Sequence, residues 1–199
     1  MSSNTEDRRY QNSAKKIHDA LACLLEKKNS ADISDVTIQE ICEKAGVTRG
    51  TFYRHYKSIS AIIVEAEDYL FSEYIKILYG TPESERIPKR LVRNILEIVG
   101  KNRAYFRMVF ARYDYRLMLK IFEITKPLLQ DSWKHLNYTH DRELLDKMYY
   151  FCAYGLIGEV KHWVIEKNCD SALIDEYTDF IFDLAHNGMN HFTDQDPSC

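Results

Sequence analysis

Residues 37–58 read Thr37-Ile38-Gln39-Glu40-Ile41-Cys42-Glu43-Lys44-Ala45-Gly46-Val47-Thr48-Arg49-Gly50-Thr51-Phe52-Tyr53-Arg54-His55-Tyr56-Lys57-Ser58, and this stretch decides the fold. Thr37 followed three residues later by Glu40 spells a capping box, in which the hydroxyl serves the third backbone N–H and the carboxylate reaches back. Ile38, Ile41, Cys42 and Ala45 then recur at helical spacing. Gly46 ends that short helix in the left-handed conformation that glycine adopts cheaply. After Val47, Thr48 caps a second short helix running to about His55, and Lys57-Ser58 breaks it. Two short helices about a tight turn are the parts of a helix-turn-helix.

The packing needs of such a unit are met. Cys42, four residues before the turn glycine, is small where two helices approach closely. Val47 and Phe52 can anchor the second helix to the first and to an upstream amphipathic helix over Arg9–Lys28. There Ala14, Ile17, Leu21, Leu24 and Leu25 mark the apolar face. The outward positions of the second helix are Thr48, Arg49, Gly50, Thr51, Tyr53, Arg54 and His55. Hydroxyls, cations and a glycine that permits close backbone approach suit phosphates and base edges. Two solvated helices of a bundle would leave so short a helix, with so few core residues, unexplained.

On these residues, together with the upstream amphipathic helix, the sequence resembles the TetR family of bacterial transcriptional regulators. It departs at Cys42, where the family usually has Ala, and at Tyr56, where Phe is commoner. The resemblance implies an N-terminal DNA-binding module followed by a variable all-helical ligand-binding and dimerisation domain. It further implies phosphate contacts from Thr37, Tyr53, His55 and Lys57, and base-edge contacts from Arg49, Gly50 and Thr51 beside the capping Thr48. Arg8 and Arg9 are expected near a flanking phosphate or the minor groove.

Charge agrees with that division. The 199 residues carry 27 Lys+Arg against 30 Asp+Glu, a net charge of −3 that argues against a uniformly basic surface. Residues 1–57 nevertheless sum to +2 and residues 58–199 to −5, the sign expected of an N-terminal DNA-binding end. Five cysteines at 23, 42, 152, 169 and 199 are odd in number, widely spaced and without Cys-x-x-Cys, so neither a disulfide framework nor a zinc ribbon is expected. The polar N-terminus has no apolar signal region, and no apolar run approaches the length of a membrane span. A cytoplasmic location is expected, with no membrane partner, metal or cofactor.

Downstream, Ser58 caps a long helix to about Tyr79, and Thr81-Pro82-Glu83-Ser84-Glu85 is a polar linker. Pro88 suits a first helical turn, and helices follow at about 88–99, 101–112, 114–136, 141–167 and 171–190. Pro127 should kink the third of these. The expected fold is therefore all-α: a three-helix DNA-binding domain over 1–57, a linking helix over 58–79, and a larger helical ligand-binding and dimerisation domain over 80–199.

Of the 25 aromatic residues, 21 follow Lys57. Tyr105, Phe106, Phe110, Tyr113, Tyr115, Phe122, Trp133, Tyr149, Tyr150, Phe151, Tyr154 and Trp163 are pocket candidates for an apolar or aromatic effector, since no Gly-rich phosphate loop occurs. Gly155 and Gly158 cost their helix roughly 1 kcal/mol each relative to Ala, which a close helix approach would offset. Ile174, Tyr177, Ile181, Leu184 and Gly188 stripe the final helix, flanked by Leu173 and Phe180. A helix apolar on more than one side is buried on more than one side, so these two helices are the dimer candidates. The expected function is that of a homodimeric repressor on a palindromic operator, relieved by a small-molecule effector. The alternative is a TetR-like interaction protein acting as co-activator with a partner protein. An enzyme is not expected, because no nucleophile elbow, paired catalytic carboxylates, metal cluster or nucleotide loop is found.

Overall fold

The computed structural model describes residues 3–28, 32–80, 88–112, 116–135 and 140–190. These form nine α-helices and no strand, so the protein is all-α. The linker at 81–85, Tyr113, Tyr115 and Cys199 lie outside the described residues, as do the side chains of Arg8's upstream neighbours and of Gly188.

The chain divides into two compact units, residues 1–72 with 102–115 and residues 73–101 with 116–199. The first contains α1 (Ser3–Lys27), α2 (Ile38–Ala45), α3 (Arg49–His55), the start of α4 (Ile59–Gly80), and α6 (Arg103–Phe110). α1 extends upstream of the periodic stretch, to Ser3.

α1 packs on α2, α3 and α6. Ile17, Leu21 and Leu25 of α1 are fully enclosed, with Ile41 of α2, Phe52 of α3, and Ile62, Ile63 and Ala66 of α4. Complete burial of an aromatic such as Phe52 contributes about 1.5–3 kcal/mol, a large share for a seven-residue helix. A backbone bond from Ile33 N–H to the Ala111 carbonyl, 3.0 Å, ties the loop after α1 to the end of α6. Arg103 pairs with Glu26 at 2.6 Å on the same seam.

The second unit contains the end of α4, α5 (Pro88–Lys101), α7 (Arg116–His135), α8 (Arg142–Ile165) and α9 (Ile174–Asn190). α8 starts on Asp141, whose carboxylate accepts from the N–H groups of Glu143 and Leu144. α7 carries Pro127 within it. Two residues earlier, Thr125 donates to the Ile121 carbonyl at 2.8 Å and lies 2.7 Å from the Tyr149 hydroxyl. Phe122, Trp133, Leu145, Met148 and Tyr149 make one buried cluster between α7 and α8. α5 and α9 pack together, edged by the ion pairs Lys89–Asp179 and Arg93–Asp175.

Candidate DNA-binding surface

The cap at Thr37 forms as its sequence spacing requires. Its hydroxyl accepts from Glu40 N–H at 3.2 Å, while its own N–H and O–H both donate to Glu40 Oε2 at 2.8 Å. Lys28 closes on the other carboxylate oxygen at 2.7 Å. The Lys28 ammonium, seconded by Thr37, holds the Glu40 carboxyl down to about 2. Both donors of Thr37 are therefore committed within the protein. A phosphate at this helix start would meet the first turn of α2 rather than the Thr37 hydroxyl.

Gly46 has φ of +65°, and its N–H closes the end of α2 on the Cys42 and Glu43 carbonyls. Four residues back, Cys42 is buried, and burial pushes its thiol up. Thr48 then caps α3 by accepting from Thr51 N–H at 3.1 Å. Because Phe52 occupies the core side of α3, Arg49, Gly50, Tyr53 and Arg54 face outward, as does Lys57 just beyond, and Thr51 is half-buried. The fold thus places the expected DNA-contacting residues along α3, at its cap and in the turn after it, except for Thr37 at the start of α2 and the exposed Arg8 and Arg9 on α1.

Three side chains off α3 complete this surface. Gln39 of α2 accepts from Arg49 Nη2 at 2.9 Å and itself donates to Glu43 at 2.9 Å. Tyr10 of α1 lies against the His55 ring with centroids 4.0 Å apart, and Ser13 Oγ is 2.7 Å from His55 Nε2. Burial first, then the Arg54 cation, lowers the His55 pKa below its usual 6.5, with Glu65 opposing. Local pattern gives no sign of these partners, since Ser13 and His55 are 42 residues apart.

Behind the surface, His18 is buried with Nε2 2.9 Å from the Tyr56 hydroxyl. Its pKa is lowered by burial, and exposed Glu65, 3.8 Å away, offsets this only in part. Tyr56 is itself raised, by burial and by its hydrogen bond with Glu65.

Residues 29–66 match the family described as bacterial regulatory proteins, tetR family, and residues 88–187 match the family described as transcriptional regulator C-terminal region. The chain belongs to the TetR family. No curated protein and no solved structure matches the chain. As a TetR-family transcriptional regulator it is a DNA-binding protein, and the helix-turn-helix of α2 and α3 lies within the matched N-terminal region. Among the described residues, no helix is long and apolar enough to cross a membrane.

The pocket and interface candidates of this TetR-family chain fall in separate places. Tyr105, Phe106 and Phe110 belong to the first unit. There Tyr105 lies against His18 and Tyr69, and Phe106 against Phe110. Phe122 meets Tyr150 and Tyr154 edge-on in the second unit, those two rings stack on each other, and Trp133 joins the buried cluster of Phe122. Trp163 is fully buried elsewhere in that unit, against Tyr177 and Gly100. Ile174, Tyr177 and Ile181 are half-buried, whereas Leu184, Gly155 and Gly158 are exposed.

Proposed function

We propose that the protein is a dimeric repressor that grips a palindromic operator through two copies of α3 and releases it when a small molecule enters the second unit. The observation that carries the dimer is an uncovered apolar stripe. On α8, Phe151 and Tyr154 are 78% and 55% exposed, and on α9, Phe180 and Leu184 are 53% and 59% exposed. Gly155 and Gly158 continue the α8 stripe with nothing within 4 Å of where a Cβ would stand. A second copy supplies the apolar partner such a stripe needs.

Arg49, Gly50 and Thr51 then read base edges, with Thr48 beside them, while Tyr53, His55 and Lys57 hold phosphates. Thr37 contributes through the start of α2. Two α3 helices one DNA turn apart, roughly 34–36 Å, match the half-sites of a palindrome. The ligand response is supported by two buried donors in the second unit. Among the described residues, Trp163 Nε1 and the Tyr74 hydroxyl have no hydrogen-bond partner, and buried donors of this kind cost stability until something accepts from them. The effector must bind more tightly to a conformer whose α3 spacing is wrong for DNA, with α4 as the linking helix.

Selection of binding sites from a random pool of duplexes tests the proposal. Enrichment of inverted repeats with half-sites one turn apart, bound by two chains, is expected. Enrichment of unrepeated sites bound by one chain would overturn the dimeric reading.

A further inference from the structure

Ser13 Oγ has three polar neighbours. The carbonyl oxygens of Arg9 and Tyr10 lie at 3.0 and 2.9 Å, and Nε2 of His55 at 2.7 Å. A serine hydroxyl has one proton to give, and a carbonyl oxygen has none. If Ser13 gave its proton to His55, its lone pairs would face two carbonyl oxygens at hydrogen-bond distance with no proton between them. With the proton directed at the carbonyls of its own helix, Oγ becomes the acceptor and the imidazole donates from Nε2–H. The Tyr10 ring, packed on the imidazole, holds its plane.

The opposite nitrogen, Nδ1, bonds to no described residue and is not enclosed. In a neutral ring already protonated at Nε2, Nδ1 is a lone pair, which a phosphate oxygen repels. In the imidazolium, Nδ1–H is a charged donor, and the same contact becomes a charge-assisted hydrogen bond.

We infer that Ser13 is a positioning residue that fixes neutral His55 in its Nε2–H tautomer, so that His55 engages a DNA phosphate only when protonated. This rests on the phosphate contact proposed above for His55. The groups facing the ring are Tyr10 and Ser13 from α1, Arg54 from α3, Tyr56 beyond it, and Glu65 from α4. Arg54 opposes the charge and Glu65 favours it. The free ring is largely neutral at pH 7.5, and each subunit takes up a proton on binding DNA. Affinity then falls as pH rises, by up to about tenfold per pH unit and per subunit.

The test uses the full chain and a duplex enriched from the random pool. Nitrogen-15 spectra of the free protein at pH 8 should show His55 as the Nε2–H tautomer, with Ser13→Ala a mixture of both. An Nδ1–H tautomer in the unaltered protein overturns the inference without reference to DNA. Duplex affinity measured from pH 6 to 8 should fall at least threefold in the unaltered protein. The profile should be flat in His55→Gln, shallower in Ser13→Ala, which frees a neutral Nδ1–H to donate, and restored in Ser13→Thr. If the tautomer is as stated but the unaltered profile is flat, the phosphate contact of His55 fails and the proton linkage fails with it. A slope that survives in His55→Gln overturns the linkage.

Discussion

Arg49, the first residue of α3, donates from Nη2 to Gln39 Oε1 of α2 at 2.9 Å. One hydrogen bond from a neighbouring helix restrains a long, exposed side chain at the place where we propose that base edges are read. An arginine pre-aimed in this way loses less freedom when it meets a guanine. Arg49→Ala is expected to weaken binding to the selected duplex by about 1–3 kcal/mol and to relax preference at one base position. Gln39→Ala should keep the preference and lose a smaller part of the affinity. Competition binding against single-base variants of the duplex separates the two, and equal loss on every variant would make Arg49 a phosphate contact instead.

Gly50 offers a cleaner separation of folding from function. It sits in α3 with ordinary φ, and an added Cβ would meet only the Thr48 hydroxyl, at 3.7 Å. Nothing in the protein itself requires a glycine there. Gly50→Ala should raise stability by about 0.5–1 kcal/mol through helix propensity. In the proposed interface the same methyl group would stand between the α3 backbone and DNA, so duplex affinity should fall. Thermal unfolding and duplex binding on one preparation check both signs, and unchanged affinity would remove Gly50 from the interface. Gly46 is the contrast: with φ of +65° and open space about it, Gly46→Ala is destabilising through the backbone alone, by roughly 1 kcal/mol.

The helix-turn-helix was legible in the sequence because each of its signals is local. Thr37, Glu40, Gly46, Thr48 and Ser58 act within a few residues of themselves, and each caps or ends a helix where its spacing says. What sets the surface chemistry was not legible. Gln39 on Arg49, and Tyr10 and Ser13 on His55, are meetings between helices, fixed by how α1, α2 and α3 pack. The aromatic residues show the same limit. Their number predicts buried rings, but Tyr105 packing on His18 and Trp163 packing on Gly100 depend on which helices meet. Composition does not specify that. Helix α6 illustrates it further, since Phe106 and Phe110 belong with α1 despite their place in the chain.

His18 predicts a pH dependence of folding with a definite sign. It is buried, and burial lowers its pKa below the usual 6.5. Below pH 6.5 the unfolded chain therefore binds a proton that the folded chain refuses. Stability is fully present above pH 6.5 and declines as pH falls toward the lowered folded value, with a slope of up to about 1.4 kcal/mol per pH unit. Denaturant unfolding between pH 5 and 8 should show this decline, reduced in His18→Gln. An undiminished decline in that variant would assign it elsewhere. Glu40, held down by Lys28 to about 2, has the usual carboxylate sign. Its contribution is intact above about pH 4.5 and fades as pH falls toward 2.

The exposed stripe on α8 and α9 predicts the behaviour of a dimer. Leu184 and Phe180 lie one turn apart on α9, and Phe151, Tyr154, Gly155 and Gly158 share one side of α8. A pair of carboxylates placed in that stripe would be desolvated and unpaired on association but harmless in the separate chain, where both positions are exposed. Phe180→Glu combined with Leu184→Glu should therefore leave helicity and thermal unfolding of the monomer intact while driving sedimentation to a single chain. Affinity for the inverted repeat should drop by about 10²–10⁴-fold, the loss expected when two linked sites become one. Affinity for an isolated half-site should not change, because α3 is untouched. If the double variant still sediments as a dimer, the interface lies elsewhere, and the apolar stripe needs another occupant.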